Sequence, residues 1–330
     1  MVTLEGDCLV FCFPDVHEEA RLAVTFQRTL RIPDDDRHYP LPPGLGAFPL
    51  RHMDDYRRRV PKVWGERGGV LMPMHQAEAM WISFRGCYPM AVKVASGRIN
   101  AITGSPLTQG LHRAPQDYLV TPDQPWLDGF CVEKGVIRQF IAMPLGRGYS
   151  VEEQLTRAAE HGGLQLIVHP VKAAVYRKLQ REQAGIARRS AGGFEIARRA
   201  ADMGLAPGGG MRQEVYQDPF APSDWSQKHM SRCFVTIVNA AVWPSVTGET
   251  PPSVSPTASD YTKAGLPWFE YYNPEAVALP GSDALLKVKS VKAMGESKGV
   301  AALPENHSVE VERRIRIHTS RPRRVREGRS

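Results

Sequence analysis

At 330 residues and 42% hydrophobic content, the chain is long enough for one large domain or two ordinary ones, and a wholly disordered chain is excluded. Its five cysteines are odd in number and widely spaced, which excludes a dense disulfide scaffold and implies a reducing compartment. The formal net charge of +7 is concentrated: residues 313–330 hold eight arginines against Glu327, as large an excess as that of the whole chain, and 172–189 adds a second basic stretch, so the remainder is mildly acidic.

The longest apolar runs are Cys8 to Phe13 and Phe234 to Trp243, and neither approaches the roughly 20 residues of a membrane span. Acidic Glu5 and Asp7 precede the first run, where a secretion signal would be basic. A cytoplasmic protein is therefore expected. Cys8 and Cys12 lack a second Cys/His pair at finger-like spacing, so they read as small buried hydrophobes, and no metal or cofactor is expected.

The first half reads as strands joined by turn-rich connections. Leu22 to Ile32 is rich in β-favouring residues and ends at Pro33 and three aspartates. The proline- and glycine-dense stretch 40–49 cannot be helix interior. Val70 to Phe84 reads as strand or, through His75–Met80, as a short helix. A hairpin is predicted for Ala91–Ala95 and Ile99–Thr103 around Ser96-Gly97, and a second around Lys134-Gly135.

Ser150 and Glu153 form a capping box that starts a helix, which Gly162-Gly163 would close. Leu164–Val168 reads as a strand leading into a basic helix from Lys172 to about Arg189 with a narrow apolar stripe. Gly192 to Gly210 has the composition of a hinge. Arg232–Val242 reads as a buried strand, and 248–256 as a Pro/Ser/Thr loop. The expected fold class is α+β, with predominantly antiparallel strands, a few short helices and long Pro/Gly-rich loops. Its expected division is a β-rich domain over 1–170, the basic helix and hinge over 171–210, a smaller α+β region over 211–300 and a basic, flexible tail over 301–330.

Six residues stand out as candidate ligand or partner contacts. Asp123 and Asp128 flank Trp126 in a proline-limited loop, so the carboxylates suit an acid/base pair with the indole as a platform, although loop carboxylates more often cap turns. His75 lies near Glu78 but has no second histidine at metal-ligand spacing. Arg147, in Gly146-Arg147-Gly148, precedes a helix whose free N–H groups favour anions, yet Ser150, Glu152 and Glu153 already satisfy that end. Trp268 belongs to an aromatic cluster with Phe269, Tyr271 and Tyr272, suited to a core edge or an interface.

No nucleophile elbow, phosphate-binding Walker loop, zinc-protease helix or dinucleotide fingerprint occurs. The segments Leu41–Gly46, Met72–Phe84 and Pro125–Gly148 resemble an uncharacterised group of bacterial proteins; the resemblance covers about two thirds of the chain, excludes the basic tail and implies a complete protein. The residues favour a non-enzymatic binding or structural protein with a protein partner or a second copy of itself. The alternatives are a hydrolase acting through Asp123 and Asp128, and weak, sequence-independent nucleic-acid contact through 172–189 and 313–330.

Overall fold

The structure, a computed structural model, describes residues 1–184, 204–272, 276–301, 303–311 and 313–318. The chain adopts a strand-dominated α+β fold with two large sheets and short helices. The ten-stranded sheet runs in the order Val2–Glu5, Cys8–Cys12, Arg21–Thr29, Ala79–Arg85, Val136–Met143, Gly204–Arg212 and His38–Tyr39. Three short strands pair off this path: Gly44–Ala47 with Arg21–Thr29, Trp126–Leu127 with Ala79–Arg85, and Gly129–Glu133 with Val136–Met143.

Alternation decides which side chains go inward, because successive strand residues point to opposite faces. Leu22, Val24 and Phe26 enter the main core while Arg21 is exposed, and the antiparallel register sets Val24 opposite Phe84 and Phe26 opposite Ile82. Such directly opposed apolar pairs are the unit of sheet stabilisation, and a one-residue slip would turn every one of them outward.

The seven-stranded sheet has the order Ile99–Asn100, Met90–Ser96, Leu164–Pro170, Ser231–Asn239, Val70–Met74 and Arg51–His52, with Leu119–Thr121 added alongside Met90–Ser96. Val92, Val94, Leu164, Leu166, Val168, Val235 and Ile237 of this sheet join Leu22, Val24, Phe26, Ile82 and Phe84 of the other in one apolar cluster. The core therefore draws on both sheets. Its opposite face carries Lys93, Gln165 and His169, all of them buried, and burying them requires a cover that supplies polar partners.

Several local expectations are met. The second hairpin turns at Gly135 with φ +74°, and the capping box is formed in full, Ser150 Oγ accepting from Glu153 N while Ser150 N donates to the Glu153 carboxylate. Of the two readings open for Val70 to Phe84, strand holds: it forms two strands, 70–74 and 79–85, with no helix between them. Others are corrected. The first hairpin turns on Gly97-Arg98, one residue later than expected, because Ile99 pairs with Ser96. The capped helix ends at Thr156, where Arg157 takes a left-handed conformation (φ +63°), well before Gly162. The basic helix starts at Ala173, one residue later than expected, and is described as far as Ala184.

The glycine-rich stretch expected as a hinge is, from Gly204, a strand within the ten-stranded sheet. Close approach explains its composition: a Cβ on Gly209 would stand 2.2 Å from the Pro33 carbonyl oxygen, and one on Gly208 would stand 2.6 Å from Ile141 Cγ1. Residues 185–203, which complete the expected hinge and basic helix, and most of the arginine tail, 319–330, lie outside the described residues. Among the described residues no helix is long and apolar enough to cross a membrane.

Candidate functional site

The outer face of the seven-stranded sheet is covered by the connection running from Gly104 to Tyr118, and the buried polar residues of the strands hold it there. Lys93, with a fully buried side chain, donates from Nζ to Thr108 Oγ1 at 3.0 Å and to the Gly110 carbonyl, and pairs with Asp117 Oδ2 at 2.7 Å. These three contacts match the three donors of an ammonium. His169, on the neighbouring strand, contacts the Gln109 carbonyl through Nε2 at 3.0 Å. Burial, with Lys93 adding to it, lowers the His169 pKa, so its neutral form is favoured. Asp117 also accepts from the His112 backbone N–H and meets its imidazole Nδ1 at 2.9 Å, and the Asp117 carbonyl accepts from Asn100 Nδ2.

Beyond this covered patch the connection forms one wall of a 560 Å³ cleft. The other walls are Gln217-Asp218 and the turn 279–284. Gly281 fixes the turn: its φ is +88°, and a Cβ there would lie 2.5 Å from Glu133 Cα. Ser282 Oγ ties the turn to the first wall by donating to the Thr103 carbonyl at 2.6 Å.

Much of the polar lining is already engaged. Asp218 accepts from Tyr118 Oη at 2.6 Å, from Trp225 Nε1 at 2.9 Å and from the Phe220 N–H at 2.8 Å. Burial and this carboxylate together push the Tyr118 phenol pKa upward. Gln116 spends its amide nitrogen on the Tyr118 and Tyr216 carbonyls and its oxygen on the Asp218 N–H. Two charged lining groups retain capacity: Arg113, which uses Nη2 on the Asp218 carbonyl, and the exposed Asp283 on the opposite wall. The arrangement is a cleft of mixed lining, more apolar than polar, with one cationic and one anionic contact point.

The six residues singled out in the sequence lie elsewhere, since none lines this cleft. Trp126 and Trp268 do come together, at one apolar cluster with Leu30, Tyr39 and Met211; Trp268 is buried within it, and Trp126 packs against it half-buried. Asp128 is buried beneath Trp126, bonded to the indole and to Gln213 Nε2 at 2.8 Å, and burial pushes its pKa up to about 8. Asp123 is exposed, so the two carboxylates have unlike surroundings.

His75 lines a separate 70 Å³ pocket, where its Nε2 meets the Pro252 carbonyl at 2.7 Å. Glu78 does not touch that imidazole. Its carboxylate takes the His75 backbone N–H, Ser255 Oγ and Arg28 Nε, the last at 2.7 Å. Arg147 is exposed, and Glu153 Oε1 occupies the neighbouring Gly148 N–H at 2.7 Å.

Sequence reasoning missed Arg113 and Asp283, which lie far apart in the chain in segments without regular alternation. Lys93 was more accessible to it. A lysine inside the apolar strand Met90–Ser96 must either break the strand or find buried partners. Among the described residues no group of three or more His, Cys, Asp or Glu is arranged to hold a metal ion. No protein-family model, curated protein or solved structure matches the chain.

Proposed function

We propose that the protein is a binding protein whose cleft takes a small ligand of mixed charge, with an anionic group on Arg113 and a cationic group on Asp283, as in an amino acid or a peptide terminus. The observation that carries the reading is the pair of charged groups with remaining capacity on opposite walls of a 560 Å³ cleft. That volume falls in the range of about 300–1,000 Å³ usual for small-molecule sites. A guanidinium is suited to two-point recognition of a carboxylate. The engaged state of Asp218 and Gln116 favours recognition over proton transfer, because a carboxylate holding three internal donors has little reason to change protonation during a reaction.

The reading is tested by calorimetric screening of the full chain against amino acids and short peptides, beside analogues lacking either charge. Saturable binding of the zwitterions is expected, weakened at least tenfold by Arg113→Gln and by Asp283→Asn. Equal affinity for the uncharged analogues would contradict it.

A further inference from the structure

A second cleft, of 420 Å³, opens on the same outer face of the seven-stranded sheet and is lined by Arg67, His161, Gln165, Arg232 and Phe234 among others. Its lining holds two guanidiniums and an imidazole and no carboxylate. The local fold commits only part of the donor capacity. Arg67 uses Nη1 and Nη2 on the His161 and Glu160 carbonyls while its guanidinium lies 5.5 Å from the Phe234 ring centroid, and Arg232 uses Nη2 on Gln165 Oε1. Each guanidinium carries five N–H donors, so most of the pair's capacity remains.

The charged surroundings extend slightly beyond the lining. Glu152, buried behind His161, accepts from the His161 and Gly162 backbone N–H groups and stands 3.2 Å from the imidazole Nδ1. Glu160 is largely exposed, 3.8 Å from that same nitrogen. Arg98 adds a further positive field at the imidazole.

We propose that this cleft is a binding site for a phosphate-class oxyanion, held by Arg67 and Arg232 with His161 beside it. Planar guanidiniums match the spacing of phosphoryl oxygens. The volume leaves room for the organic part of a phosphomonoester against Phe234. Arg67 has a second function as the brace of the 160–161 turn, whereas Arg232 is exposed and has a single side-chain partner.

The test titrates the full chain with inorganic phosphate and, separately, with glycerol phosphate, by calorimetry. Single-site saturation is expected, with affinity reduced at least tenfold in Arg232→Gln and unchanged in Lys178→Gln, an exposed lysine that lines neither cleft. Tighter binding of the ester identifies a phosphomonoester as the occupant; equal binding identifies free phosphate. In the wild-type protein the His161 imidazole resonances should move on titration while those of His112 stay fixed, a readout independent of any variant's folding. Absence of saturation, an affinity indifferent to Arg232→Gln, or tight binding only of a duplex oligonucleotide would overturn the proposal.

Discussion

Lys93 Nζ lies 2.7 Å from Asp117 Oδ2, an ion pair in which the lysine side chain is fully buried and the aspartate is 11% exposed. The pair joins the outer face of a strand to the connection that walls the larger cleft. Removing one partner of a buried pair leaves an uncompensated charge, at a cost of about 3–5 kcal/mol. Lys93→Met should therefore destabilise the protein by that amount in urea unfolding, and Lys93→Met combined with Asp117→Leu should cost less than the two single changes summed. Strict additivity would mean that the two charges do not interact across this contact.

Asp128 supplies a pH dependence. Its pKa in the fold is about 8, against about 3.9 in an unfolded chain, so between these values the folded state binds the extra proton. Stability contributed at this site is greatest below about pH 4, falls as pH rises towards 8 and is level beyond, with a slope of at most about 1.4 kcal/mol per pH unit. Asp128→Asn removes the titration. Its stability relative to wild type should rise steadily between pH 5 and 8 in denaturant titrations, whereas parallel curves would show that Asp128 is ionised in the fold.

Trp126 packs edge-on against Trp81, with ring centroids 6.3 Å apart, and bonds Asp128 through its indole. Truncation of a fully buried tryptophan costs about 3–5 kcal/mol; because Trp126 is half-buried, Trp126→Ala should cost about 2–3 kcal/mol. Thermal melts would check this, and an unchanged melting temperature would remove Trp126 from the set of residues that hold the fold.

Gly281→Ala should be among the most damaging single-methyl changes in the protein. It combines a left-handed backbone with a Cβ 2.5 Å from the Glu133 backbone, so the turn must move. The expected result is lowered thermal stability together with loss of the zwitterion binding proposed for the larger cleft. A variant that kept both would show that the turn tolerates displacement.

Local chemistry made parts of this architecture legible in the sequence. The Ser150/Glu153 cap, the Gly135 turn and the alternation of Leu22, Val24 and Phe26 are each decided by neighbours within a few residues. Gly204–Arg212 was not legible, because its glycines answer to Pro33, His38 and Ile141, which are distant in sequence. The cleft was hidden for the same reason: its walls come from three segments, and Arg113 differs from any other surface arginine only once Asp218 and the 279–284 turn are placed beside it. Asp128 was visible as a carboxylate beside a tryptophan, but its burial depends on Gln213.

The parallel pairing of Val70–Met74 with Ser231–Asn239 sets an order of events during synthesis. Val70–Met74 is buried along its whole length, and the strand that covers one of its edges is translated more than 150 residues later. Until then that edge is an open template, the kind of segment that makes nascent chains prone to mispairing. Pairing over such a separation also slows folding, since the chain between the partners must first be brought to closure.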